Sequence, residues 1–507
     1  MTTSVATRAG RVRGYLDHGV HVFKGIPYGA STFGKLRFQP PRPPQPWSGV
    51  LETVEYGDQA PQLDTGGRIK LFRSWHVETG ESEDCLRLNL WSPQLRDGRK
   101  RPVMVWFHGG GFSSLNGSSR AYEGTRLALR GDVVVITLNH RLNVFGYLDL
   151  SQLGDERFEH SGVAGQLDLI AALEWVRDHI DAFGGDPQNV TIFGESGGGA
   201  KVCALLAMSA ARGLFHRAAV QSGALLRAVS KERAGAAAEA MLQALGLEPG
   251  EHKKLLDLPT QLLVGAYEKL LATTRHGYAI APVLGNALPR HPFDPDATPC
   301  AADVPLLIGF NRDETSLFVR DKAIFELHWE KLLERLQRGY PKLDAAALIT
   351  RMRELRPEAS PTQLYFAITT GVTLAAASLR LAERKCAQRA APVYLYQVEW
   401  ETPIDGGRFG SPHAVEIPFV FDTVGASASM LGVDPTRPQK LADRMSEAWL
   451  AFARSGDPNT PAIPHWPAYD LEQRATLVFD DETRLAPDHR GRERELFAAA
   501  HPYGVLR

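Results

Sequence analysis

NVTIFGESGGGAKVCA, residues 189–204, is an apolar run that breaks at glycine, presents one serine and restarts as a stretch of small residues. Val190, Thr191, Ile192 and Phe193 are β-branched or aromatic, as in a short buried strand, and Gly194 bounds them. A strand-to-helix turn this sharp leaves little room for side chains, so Gly194 and Gly198 supply positions without Cβ on either side of Ser196. The serine hydroxyl is then lifted above the sheet. The helix behind it aims unpaired backbone N–H groups, that of Gly197 among them, at charge developing on a bound carbonyl. This pattern predicts nucleophilic attack by Ser196. A phosphate-binding loop fails on register. G-x-x-x-x-G-K-[ST] begun at Gly194 meets Ala200 where lysine is needed and Lys201 where a hydroxyl is needed, and Glu195 would repel phosphate.

Upstream, the continuous apolar run of residues 101–108, RPVMVWFH, reads as a buried strand that ends in Gly109, Gly110 and Gly111, followed by Phe112. A loop this bare lets backbone N–H groups approach a ligand closely, as an oxyanion hole requires. His108 stands at the strand end and reads as a residue that orients the loop. Residues 132–138, DVVVITL, predict a second buried strand, and a helix beginning near Ala164 carries the stripe Leu169, Leu173, Val176, Ile180, Phe183 until Gly184 and Gly185 stop it. Strand, crossover helix, strand predicts a mainly parallel sheet with helices on both faces. Ligands then bind beyond the C-terminal strand ends, where Ser196 and the glycine loop both fall.

Past Ser222 the pattern turns mainly helical, with insertions around 225–300 and 320–390 expected to wall a pocket. Between them, residues 304–310, VPLLIGF, predict another core strand, and Asp313 and Glu314 follow at its end as candidate acids. The histidines downstream of these are His328, His413, His465, His489 and His501. Only His413 occupies a short loop beside a compact apolar stretch, Ile417 to Phe421, and it is the candidate base. The chain order Ser196, Glu314, His413 is that of an α/β-hydrolase.

Balanced charge, net −1 over 507 residues of which 44% are hydrophobic, gives a large soluble chain with ample core and no bias toward nucleic acid or an acidic membrane surface. No secretory h-region opens the chain, and no apolar stretch reads as a membrane span, so a cytoplasmic location is expected. Cys85, Cys203, Cys300 and Cys386 lack metal-ligand spacing and read as buried free thiols; no metal site and no cofactor are expected.

These residues resemble the type-B carboxylesterase family, which takes in bacterial para-nitrobenzyl esterases, cholinesterases and the non-catalytic neuroligins. The similarity runs through GIPYG (25–29), RF (37–38), SEDCLRLNLW (82–91), HGGGF (108–112), FGGDPQNVTIFGESGGG (183–199), LFHRAAVQSGA (214–224), the pair Asp313-Glu314 and HAVEIPFVF (413–421). It implies one α/β-hydrolase domain over residues 1–507, with Ser196 as nucleophile, Glu314 as triad acid and His413 as base. Gly110, Gly111 and Gly197 are the implied oxyanion donors. Ser222 matches a serine that supports the triad acid, and Glu195 matches the acidic residue before the nucleophile. Phe112, Trp75 and Phe318 are implied pocket residues. Trp75 is similar to the choline-binding tryptophan of cholinesterases, although Leu317 stands where those proteins have a second aromatic. Ala60 replaces the usual cysteine partner of Cys85, and Gly197 replaces the usual alanine of the elbow.

The implied function is a serine carboxylesterase acting on small-molecule esters through an acyl-enzyme, as a monomer or small homo-oligomer. An amidase, carbamate hydrolase or thioesterase would use the same triad. A neuroligin-like binding protein is the alternative without catalysis, and the retained triad speaks against it. Because the base must be neutral to act, activity should fall on the acid side near the ordinary histidine value of ~6.5.

Overall fold

Alternate residues of the strand expected at 101–108 face opposite ways. Val103, Val105 and Phe107 join one apolar cluster with Leu169, Leu173 and Val176 of the crossover helix, whereas Met104 and Trp106 join another with Leu441, Met445 and Trp449. A strand covered on both faces must be apolar throughout, which is why this stretch is continuous rather than alternating. The computed structural model describes residues 3–63, 69–273 and 279–500; His501 lies outside them.

The strands among the described residues are β1 (Ser4–Ala6), β2 (Arg11–Arg13), β3 (Tyr15–Asp17), β4 (Val20–Pro27), β5 (Val50–Glu52), β6 (Arg87–Ser92), β7 (Arg101–Phe107), β8 (Val134–Leu138), β9 (Gly185–Glu195), β10 (Arg217–Gln221), β11 (Leu306–Asn311), β12 (Val393–Val398), β13 (Thr476–Phe479) and β14 (Arg484–Ala486). β1, β2 and β5 form a small separate sheet, and the rest form one large sheet in the order β14-β13-β12-β11-β10-β9-β7-β8-β6-β4-β3. From β8 through β7, β9, β10, β11 and β12 to β13 the neighbours run parallel. Antiparallel β6, β4 and β3 extend one side and β14 the other. The fold is that of an α/β-hydrolase. β7, β9 and β11 lie near the middle, so the loops that leave their C-terminal ends gather at one edge of the sheet.

The crossover helix spans Ala164–His179 and continues as a 3-10 turn, Ile180–Phe183, that ends at Gly184 with φ 84°, a left-handed cap suited to glycine. Helices Lys231–Ala244 and Thr260–Thr273 fall in the first expected insertion, and Trp329–Gly339, Ala345–Leu355 and Pro361–Thr370 in the second. A π-helical turn, Gly371–Ala375, joins Pro361–Thr370 to Ala376–Ala387. This continuous run, Pro361–Ala387, corrects the expectation that no stretch has the length and apolarity of a membrane span. Its composition qualifies, but 78% of its most apolar window is buried within the protein. Packing against the fold, not lipid, accounts for that apolarity.

Two fully buried ion pairs lock segments onto this frame. Arg141 meets Asp168 at 2.6 Å, and Arg37 meets Glu83 at 2.6 Å. Arg37 also donates to the carbonyls of Leu255 at 3.0 Å and Leu256 at 3.2 Å, tying the N-terminal region to the first insertion. All four cysteines are free; Cys85 and Cys203 are buried, while Cys300 and Cys386 are half-buried.

Candidate active site

β9 ends at Glu195, and Ser196 makes the turn with φ 57° and ψ −122° before the helix Gly197–Leu206 begins. A non-glycine residue at positive φ is strained, and here the neighbours hold it in place. Ser196 N–H donates to the Gln221 carbonyl at 2.8 Å, and its own carbonyl accepts from Ala200 N–H at 3.1 Å. Backbone from β7 presses against the turn. A Cβ on Gly198 would lie 1.9 Å from the Phe107 carbonyl oxygen, and one on Gly197 would lie 2.1 Å from the Gly111 carbonyl oxygen and 2.5 Å from its nitrogen. Only glycine at these positions allows the loop after β7 to approach Ser196 this closely.

The structure brings Glu314 and His413 together. Glu314 Oε2 lies 2.5 Å from His413 Nδ1, and both side chains are buried. Two loops are sewn together to achieve this. Asp313 N–H donates to the Ser411 carbonyl at 2.9 Å, and Ser411 N–H donates to Asp313 Oδ2 at 2.9 Å. Asn311, the last residue of β11, donates its backbone N–H to Glu314 Oε1 at 2.7 Å and its side-chain amide to the Pro412 carbonyl at 3.0 Å. Of the two carboxylates left open by the sequence, Asp313 thus positions the loop and Glu314 meets the imidazole. Two of the other candidates lie elsewhere: His489 Nε2 pairs with Glu399 at 3.0 Å, and His328 precedes the helix Trp329–Gly339 without a side-chain cap bond.

His413 Nε2 lies 3.0 Å from Glu195 Oε1, close enough for charge attraction but out of line for a hydrogen bond. Neither atom has another hydrogen-bond partner, so Ser196 Oγ is not hydrogen-bonded to the imidazole in this arrangement. Burial by itself would lower the imidazole's affinity for protons. Glu195 and Glu314, flanking it on both sides, outweigh that and hold it well above the ordinary 6.5. Burial in turn pushes the Glu195 carboxyl up, with His413 opposing.

Ser222 departs from expectation. Its hydroxyl donates to Glu416 Oε1 at 3.4 Å and not to Glu314. Glu416, fully buried, also accepts from Asn311 Nδ2 at 2.6 Å. Burial, with Glu195 and Glu314 nearby, raises it to about 8. Glu416 escaped sequence reasoning, although an acid three residues after His413 inside an apolar run was a visible signal. Its partner could not be read from spacing.

In the glycine loop, Gly110 and Gly111 take φ 80° and 62°. The Gly110 carbonyl accepts from Ser113 and Ser114 N–H, while no turn or cap bond takes up the N–H of Gly110, Gly111 or Gly197. His108, at the loop's start, donates from Nδ1 to the Gly109 carbonyl at 3.0 Å, as befits a neutral ring that orients backbone. Burial, then the Lys201 charge, holds it well below the ordinary value.

The expected pocket residues separate. Phe318, 53% exposed, lays its ring 4.9 Å from that of His413, at the site. Phe112 follows the glycine loop and packs on Tyr147 at 5.1 Å. Trp75 is buried, stacked on Phe72 at 4.6 Å, and donates Nε1–H to Ser427 Oγ at 2.9 Å. Among the described residues no group of three or more His, Cys, Asp and Glu could hold a metal ion.

A parallel α/β sheet with a strained serine at one strand end, a buried His–Glu pair against the adjoining Glu195 and a bare glycine loop beside it defines a serine hydrolase of the α/β-hydrolase class. Within that class the chain belongs to the carboxylesterase family, whose profile matches residues 1–496. It is 37% identical to the para-nitrobenzyl esterase of Bacillus subtilis (strain 168) over 97% of each chain, and 34% identical to the phenmedipham hydrolase of Pseudarthrobacter oxydans over 94% of each. A carboxylesterase of Geobacillus stearothermophilus superposes with a TM-score of 0.85 at 40% identity, covering 98% of this chain and 100% of that one. The protein is a carboxylic-ester hydrolase.

Proposed function

We propose that this esterase works by two-step acyl transfer on small-molecule esters, with Ser196 as nucleophile, His413 as base and Glu314 as the acid that holds the imidazole. The observation that carries the reading is the 2.5 Å contact of Glu314 Oε2 with His413 Nδ1, which makes Nε2 the ring nitrogen left to exchange a proton with Ser196. Ser196 Oγ attacks the ester carbonyl carbon as its proton passes to Nε2. The carbonyl electron pair moves onto oxygen, where the N–H groups of Gly110, Gly111 and Gly197 receive it. Collapse expels the alcohol, protonated by His413, and water repeats the sequence to release the acid. The hydrogen bond from Ser196 to Nε2 forms on substrate binding, a tightening common when the bound complex assembles. Glu195, on the other flank of Nε2, stabilises the imidazolium that forms in each half-reaction. Phe318 and Phe112 border the substrate, and Trp75 supports the wall behind it.

The whole chain, residues 1–507, acts as one domain, with the helical insertions around 225–300 and 320–390 walling the pocket. We place it in the cytoplasm, as a monomer or small homo-oligomer; four free thiols accord with a reducing compartment.

The test is turnover of matched p-nitrophenyl butyrate and butyryl p-nitroanilide. An esterase is expected to favour the ester by about 10³-fold or more in kcat/KM, because the amine must be protonated before it leaves. Comparable rates would make the amidase reading the better one. The pH profile gives a second check. His413 acts only when neutral, and its raised position means that the neutral form accumulates only at higher pH. The acid limb of kcat/KM should therefore lie above 6.5 rather than near it. A limb below 6.5 would show that burial of the imidazole outweighs its two carboxylate neighbours.

A further inference from the structure

The helix that opens with Gly197 is built of small and apolar residues except at one point, Lys201, whose side chain is fully buried. Its ammonium donates to the His108 carbonyl at 2.8 Å and sits 5.9 Å from the centroid of the Phe112 ring. These two residues are the first and last of the HGGGF loop. A single buried amino group therefore bridges from the nucleophile's helix to both ends of the oxyanion loop.

We propose that Lys201 is a positioning residue for the oxyanion hole, fixing the span from Gly109 to Gly111 against the turn at Ser196. This rests on the assignment of Gly110, Gly111 and Gly197 as oxyanion donors. The placement is demanding. A Cβ on Gly109 would already lie 3.0 Å from Glu195 Oε2 and 3.5 Å from Ser196 Cβ, so small loop displacements change the site directly. Burial brings Lys201 down to about 7, opposed by the nearby Glu195 carboxylate, which favours the ammonium. Beneath the loop, His108 and His140 stack at 5.0 Å. Each spends Nδ1 on a backbone carbonyl, and burial and the lysine's charge keep both well below the ordinary histidine value. Neither ring therefore competes as a cation, and Lys201 is the amino group tied directly to the loop, charged below about 7 and a neutral donor above it. A buried ammonium with one neutral acceptor is unfavourable for folding, so its removal in favour of a side chain of similar shape should not destabilise the protein.

The experiment compares wild type, Lys201→Met, Lys201→Gln and Ser196→Ala. It measures kcat and KM on p-nitrophenyl butyrate, inhibition by an alkyl trifluoromethyl ketone, and Tm. The ketone forms a tetrahedral adduct with the serine and so reports on the oxyanion hole. Lys201→Met is expected to lower kcat by about 10- to 100-fold, leave KM within about threefold and weaken the ketone by about the same factor as kcat, with Tm unchanged or higher. Lys201→Gln, which keeps a donor without the charge, should fall between; it decides the matter if the Met variant does not fold. Either a kcat within twofold of wild type in both variants, or a loss accompanied by a lowered Tm and unchanged ketone affinity, overturns the inference. If wild-type turnover survives Ser196→Ala, the serine mechanism itself has failed, which is a separate result.

Discussion

Ser196→Ala is expected to lower kcat on p-nitrophenyl esters by about 10⁵-fold or more while leaving the fold and Tm close to those of wild type. The size follows from the loss of the covalent route. Without Oγ, His413 has no serine proton to take and the acyl-enzyme cannot form, so only water attack assisted by the glycine N–H groups remains. Folding should survive because the strained turn is held by backbone bonds, Ser196 N–H to the Gln221 carbonyl and Ala200 N–H to the Ser196 carbonyl, that alanine retains. Rapid-quench measurement of p-nitrophenol release gives the check, with a burst in wild type only where deacylation limits. Equal turnover by the two proteins would rule out Ser196 as nucleophile.

Glu314→Gln should lower kcat by about 10³- to 10⁴-fold and also move the acid limb of the residual activity to lower pH. The carboxylate does two things for the imidazole. It fixes the proton on Nδ1, 2.5 Å away, and its charge is one of the two that hold His413 high. A neutral amide can present its nitrogen to Nδ1 and favour the wrong tautomer, which explains the rate loss. It also removes one of the raising charges while burial continues to lower the imidazole, which gives the direction of the pH shift. A kcat–pH series on the variant separates the two effects. A large rate loss with an unmoved acid limb would mean that Glu195 alone sets the protonation of His413.

The central features of the site were legible because their signals are local. The change from Val190–Phe193 to Gly194–Gly199 encodes the turn, and the apolar run ending in Gly109–Gly111 encodes a two-face-buried strand and its bare loop. Resemblance supplied the choice of Glu314 over Asp313. The geometry behind that choice depends on reciprocal bonds between Asp313 and Ser411, about a hundred positions apart, which no spacing rule reaches. Ser222 was matched to the triad acid, but it sits where β10 and β11 converge on Glu416, and only the sheet register reveals which carboxylate it meets. Lys201 figured in the sequence only as the wrong residue for a phosphate loop, since nothing local indicates that a lysine side chain will run inward under a neighbouring strand. The helix Pro361–Ala387 was missed as a long apolar segment because Thr369, Thr370, Thr373 and Ser378 interrupt the hydrophobic count, though all four are buried.

The glycines behind Ser196 set a boundary for anyone seeking a hardier enzyme. Exchanging glycine for alanine within a helix ordinarily gains about 1 kcal/mol, and Gly197, Gly198 and Gly199 look like three such openings in succession. None is usable without rearrangement. The added methyl would stand 2.1 Å from Gly111 oxygen, 1.9 Å from Phe107 oxygen and 3.0 Å from Gly223 Cα, respectively. The neighbours that would have to yield are main chain, which cannot swing aside as a side chain can. Thermostabilisation of this scaffold must therefore begin at the outer helices, because around Ser196 the backbone itself is the packing.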